Sequence, residues 1–235
     1  MAAVELSSQM HLRRDPFFLI MSLVISAVVV YGFSYTIRDN LLSPSYPRPG
    51  VLYLHAAIFS AWLLLFVTQT AFVRASHPDL HRRLGRWGLM LGAAIPALGI
   101  STAISMTRVR VAHGEFDVAA SFPIPCFDML AFSSIFALGA IWRRRRELHS
   151  RLMFMATATL TAAAFGRVPA LDHAEWFYAG VDGLIAVGVL RDLVVTGQVH
   201  PVYRFGLPAL ITGQLILAYV RWSPWWLSLA PSLFR

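Results

Sequence analysis

The chain has 235 residues, 57% of them hydrophobic and 14% charged, with a mean hydropathy of +0.60. No single water-soluble core could hide that much apolar surface. Its 20 basic residues are all arginine against 12 acidic ones, a formal charge of +8, and with no lysine to form a Schiff base a retinal-binding seven-helix pump is excluded. The arginines lie in short clusters between apolar runs, where they act as topology signals rather than as a nucleic-acid surface. A single cysteine, Cys126, excludes an internal disulfide.

The first apolar run, about 17–37, follows Arg13 and Arg14 and is too long for a signal-peptide core, so it reads as a retained anchor. Further runs fall at about 51–73, 87–107, 122–142, 152–170, 176–195 and 205–220. About twenty helical residues at 1.5 Å rise cross a hydrocarbon layer of roughly 30 Å. The expectation is one all-α transmembrane domain over 1–235, a seven-span helix bundle in the bacterial inner membrane with the lipid bilayer as its main partner. Turn formers mark the connections, as in Ser43-Pro44-Ser45-Tyr46-Pro47-Arg48-Pro49-Gly50.

Short arginine-rich loops stay in the cytoplasm. With the N-terminus inside, that side receives Arg13, Arg14, Arg74, Arg82, Arg83, Arg86, Arg143 to Arg146, Arg151, Arg191 and Arg204; the other receives Arg38, Arg48, Arg108, Arg110, Arg221 and Arg235. The imbalance predicts a cytoplasmic N-terminus and a periplasmic C-terminus. Trp87, Trp142, Trp176, Trp222, Trp225 and Trp226 fit interfacial aromatic belts.

Ionisable residues inside spans are costly in lipid and mark candidate sites. His55, Asp128, Arg167 and Asp182 come from four different spans and are expected in one thin layer near the outer face, with His113, Asp172, His173 and Glu175 on adjoining loops. His55, Asp128, His173 and Asp182 together offer nitrogen and oxygen ligands suited to zinc, iron or manganese. Two competing readings are that Arg167 forms a structural ion pair with Asp128 or Asp182 while the other aspartate bonds to His55, or that these charges line a proton or substrate path.

On the arginine-rich side, His81 opens His81-Arg82-Arg83-Leu84-Gly85-Arg86-Trp87-Gly88 and His149 opens His149-Ser150-Arg151-Leu152-Met153, each leading into a span. Two neutral imidazoles at matching depth suit both axial positions of a haem b. The plainer alternative is that these residues snorkel to lipid phosphates and fix helix depth.

At these stretches the chain resembles a large family of bacterial predicted membrane proteins of unknown function, which show a His in an early span, then a His-Arg-x-Leu-Gly-Arg span start, and later a basic His-Arg-Arg-x-Met start. The matching positions are His55; His81, Arg82, Leu84, Gly85 and Arg86; and His149, Arg151 and Met153, with Ser150 where the family more often has arginine. The match covers about 51–167. The layout also resembles that of ascorbate-reducible di-haem transmembrane cytochromes b, in which a second histidine pair holds an outer haem. Here the fourth span starts with Pro123, Pro125 and Asp128 instead, so the resemblance implies at most one haem, held by His81 and His149, unless His113 or His173 supplies the missing ligand.

The chain has no Gly-rich phosphate loop, nucleophile elbow or Cys-His dyad. The expected function is a membrane protein that binds a haem b or a divalent transition metal through histidines at span ends. An accessory subunit docked on a membrane-protein partner, a proton-coupled carrier and a zinc-dependent membrane hydrolase are the alternatives.

Overall fold

The computed structural model describes residues 16–171 and 176–234, which are helical with no strand among them. In chain order the helices are α1 Phe17–Ser34, α2 Gly50–Arg74, α3 Pro78–Ala112, α4 Pro123–Ile141, α5 Arg146–Thr159, α6 Ala162–Phe165, α7 Phe177–Thr196, α8 Pro201–Arg221 and α9 Pro224–Leu233. Proline, which has no amide hydrogen to leave unpaired, occupies the first turn of α3, α4, α8 and α9. Gly197, at φ 72°, closes α7 in the left-handed conformation that glycine adopts without strain.

Among the described residues four helices are long and apolar enough to cross a membrane: α1, α2, α3 and the stretch Asp117–Ile141 that includes α4. The protein is accordingly a membrane helix bundle. α7 and α8 have membrane length, at 20 and 21 residues, but are less uniformly apolar: α7 carries Asp182, Arg191 and Asp192, and α8 carries Arg204, Gln214 and Arg221. The apolar run 152–170 is not one continuous rod. α5 stops at Thr159, and the chain turns through Leu160 and Thr161 into the single turn of α6, with the Thr159 and Thr161 hydroxyls donating to the Ala156 and Ala158 carbonyls.

The bundle is apolar both inside and out. Phe132, Phe154, Ile25, Ile95, Met155 and Ile185 are fully enclosed. Yet Val194 is 78% exposed, Tyr219 76% and Leu64 70%, an outer surface suited to lipid. α3 meets α4 closely because Gly92 faces the Phe136 ring and Gly99 faces Met129, leaving no room for a Cβ at either glycine. Trp176 is exposed at the start of α7 and Trp87 is exposed in the third turn of α3, but Trp226 is not exposed: it is buried with Val111, Ala119, Ala230 and Phe234, and its Nε1 donates to the Ala120 carbonyl at 3.0 Å.

Candidate functional site

The helices alternate between two ends of the bundle, one rich in arginine. At that end, α3 starts at Pro78, so the stretch His81 to Trp87 forms its first turns and His81 is fixed by a helix rather than carried on a loop. His149 sits in the first turn of α5. α3 packs chiefly on α2 and α4, and α5 on α4, so the two histidines face each other across α4's end. Their ring centroids are 6.2 Å apart and their planes cross at 82°.

The polar groups around the pair engage part of each ring, with the Gln69 backbone acting on His81 and the Gly139 carbonyl on His149. His149 Nδ1 lies 2.9 Å from the Gly139 carbonyl, which can only accept, so Nδ1 carries the hydrogen and Nε2 of the neutral ring keeps its lone pair. His81 Nδ1 is buried with no hydrogen-bond partner, and so are both amide atoms of Gln69 on α2, whose Nε2 lies 3.6 Å from where a Cβ on Gly85 would stand. Buried polar atoms normally find partners, so the two Gln69 amide atoms orphaned together with His81 Nδ1 mark a place where a further polar group would fit. An apolar groove of about 430 Å³, lined by Leu65, Leu84 and Trp87 among others, begins one turn from His81.

The same end holds a buried ion pair that composition alone did not single out. Arg151 makes two parallel hydrogen bonds to Asp192, Nε to Oδ2 and Nη2 to Oδ1, both 2.8 Å, with side-chain exposures of 4% and 1%. Arg191 adds a third contact to Asp192 at 2.7 Å. Burial, with Arg151 adding to it, pushes the nearby His200 imidazole below its ordinary range. Tyr203 packs its hydroxyl against Gly188 without a hydrogen-bond partner and lines a second groove, of about 580 Å³, between α7 and α8.

At the opposite end, the predicted layer does not form a common centre. His55 stacks on Phe59 at 4.0 Å, and its Nδ1 is buried without a partner. Asp128 accepts from the Tyr178 hydroxyl at 2.7 Å, and Asp182 accepts from Gln214 Nε2 at 3.0 Å. The expected pairing of Arg167 with either aspartate is corrected: its Nε donates to Thr36 Oγ1 at 3.1 Å, another nitrogen donates to the Ala163 carbonyl, and the guanidinium lies 4.2 Å above the Phe33 ring. Neutral donors already serve both carboxylates, and the arginine takes an aromatic face from Phe33 of α1 and a hydroxyl from Thr36 just beyond it. His173, Asp172 and Glu175 lie outside the described residues. Among the described residues no three His, Cys, Asp or Glu side chains converge as a metal ion requires.

The loops at this end form a small cluster of their own. Tyr46 stacks on His113 at 3.8 Å, lies 4.0 Å beneath Arg48 and donates to Glu115 at 2.7 Å. That hydroxyl, with Arg110 at 2.7 Å, holds Glu115 below the usual carboxylate range.

Sequence reading misses Gln69, Arg151, Asp192, Tyr178 and Gln214 as site residues. Gln69 and Gln214 are visible as amides inside apolar runs. Arg151 and Asp192 look like flanking charges because nothing in a linear pattern says which way they face. Comparison with family models, with characterised proteins and with solved structures finds no match.

Proposed function

We propose that this protein is a multi-pass inner-membrane electron carrier that holds one haem b between His81 and His149. The observation that carries the reading is the spacing of the pair. Two nitrogen–metal bonds of about 2 Å each plus the two imidazole half-widths come to roughly 6 Å, close to the distance between the rings. An imidazole would bind a metal through a lone pair in its ring plane, so the crossed planes of His81 and His149 would still let both rings hold the same group. The hydrogen bond from His149 Nδ1 to Gly139 is the outer-shell contact that orients such a ligand and raises its basicity.

The donor count separates haem from a bare ion. Two imidazoles alone leave zinc or manganese short of ligands, whereas haem brings four nitrogens of its own and asks the protein for two. Arg82, Arg83, Arg86 and Arg143 to Arg146 flank the pair in sequence and supply counter-charges for carboxylates on the cofactor. His81 and His149 would hold the haem, which would supply one-electron transfer, and Gln69 would offer it an additional polar contact.

The topology that accompanies this reading has the N-terminus and the histidine pair at the cytoplasmic face, seven passages counting α5 with α6 as one, and the C-terminus outside. The test is the absorption spectrum of detergent-purified protein, oxidised and dithionite-reduced. A haem b spectrum that is lost in both His81→Ala and His149→Ala supports the proposal. A folded, colourless preparation that takes up no added haem overturns it.

A further inference from the structure

Asp128 lies on α4 about 8 Å along the axis from Pro123, and only 8% of it is exposed. Among the described residues it takes part in no ion pair: Arg151, Arg191, Arg110 and Arg82 have other partners, and Arg167 is turned toward α1. Among the described residues the groups that act on it are few. Tyr178 donates to its Oδ1 at 2.7 Å, and Cys126 is the nearest titratable group on its own helix. From α3 the facing contact at the next position is Gly99 against Met129, and from α8 it is Gly213 against Phe127, neither of them charged.

One turn along α7 from Tyr178 stands Asp182, partly buried, with the Gln214 amide of α8 on its Oδ1. Residues four apart share a helix face, so Tyr178 and Asp182 lie on one side of α7, and the donor seen on each carboxylate is neutral. A carboxylate with a single neutral donor is poorly solvated in a hydrocarbon-embedded bundle, and binding a proton removes the uncompensated charge.

We propose that Asp128 is an exchangeable intramembrane proton-binding site, with Tyr178 orienting its carboxyl group and the Asp182–Gln214 pair as the next station. In the occupied state the proton is on Oδ2 and the Tyr178 hydroxyl donates to Oδ1, the carbonyl oxygen of the neutral acid. On release the proton passes to the Asp182 carboxylate or to water at the Pro123 end of α4, and the same hydroxyl then donates to the carboxylate left behind. This site stands apart from the histidine pair and holds whether or not a haem is bound.

Infrared spectroscopy of the purified full-length protein at pH 7 tests it. The expected result is a carboxylic-acid carbonyl band that shifts down on transfer to D2O, disappears in Asp128→Asn and moves up in Tyr178→Phe, where the oxygen has lost its donor. The Tyr178→Phe variant keeps the carboxyl group in place, so the test survives a folding defect in Asp128→Asn. A missing band, a band that ignores both substitutions, or a band that never responds to D2O would each overturn the proposal.

Discussion

Asp192 is held by two guanidiniums, Arg151 through a two-bond fork and Arg191 through a single contact, and all three side chains are nearly closed off from solvent. The arrangement makes the partners unequal. In Arg151→Gln the carboxylate keeps Arg191 as its ion partner. In Asp192→Asn the Arg151 guanidinium keeps the Glu147 carbonyl at 3.1 Å and one amide oxygen of the new side chain, but loses the fork and its ion partner. Stranding a buried charge costs roughly 3–5 kcal/mol, so Asp192→Asn should destabilise the detergent-solubilised protein by about that much and Arg151→Gln by about half. Thermal unfolding of the two variants side by side checks the order; equal losses, or the reverse order, would show that the fork is not what holds α5 to α7. In sequence, Arg151 and Asp192 read as flanking charges, because the linear pattern gives burial only through hydrophobic neighbours. Both sit where an apolar run gives way to a polar one, at the edge of what periodicity resolves. His81 and His149 are legible because each heads a repeated style of span start.

Helix positions follow from the apolar runs to within a few residues for most of the chain, since a run of that length in lipid can satisfy its backbone only as a helix. What the runs do not reveal is where a helix breaks while staying apolar. The stretch 152–170 contains no charge before Arg167, and its proline, Pro169, lies beyond the break, yet α5 ends at Thr159 and α6 is a separate turn. The neighbouring helix shows how closely that turn is held. A Cβ on Gly32 of α1 would stand 2.2 Å from the carbonyl oxygen of Ala164 and 2.9 Å from its Cα, contacts with backbone that no side-chain rotation relieves. Gly183, in contrast, is exposed on α7, and a Cβ there would meet nothing within 4 Å. Overpacking of this kind costs about 1–3 kcal/mol, whereas glycine to alanine at an open helical position gains up to about 1 kcal/mol. Gly32→Ala should therefore lower the unfolding temperature and Gly183→Ala leave it unchanged or raise it. If Gly32→Ala is as stable as the parent, α1 and α6 do not pack as described.

The contacts at the two ends fix how the elements alternate. Phe17 at the start of α1 packs on Phe154 of α5 and lies under Arg191 of α7, while at the far end Arg167 reaches Thr36 just beyond α1, and Arg221 at the close of α8 reaches Ser121. The start of α1 and the close of α8 thus lie at opposite ends of the bundle. The proposed orientation rests on the arginine imbalance: in sequence, thirteen arginines belong to the segments of the His81–His149 side and six to those of the other, and such clusters tend to be retained in the cytoplasm. A fluorescent-protein fusion after Arg235 should therefore be dark and an alkaline phosphatase fusion there active, while the same reporters inserted between Arg143 and Arg146 should give the opposite result. Reversed signals at both sites would invert the bundle and place the histidine pair at the outer face. Matching signals at the two sites would mean that an even number of passages separates them, which breaks the count through α5 and α6, the one crossing interrupted in the middle.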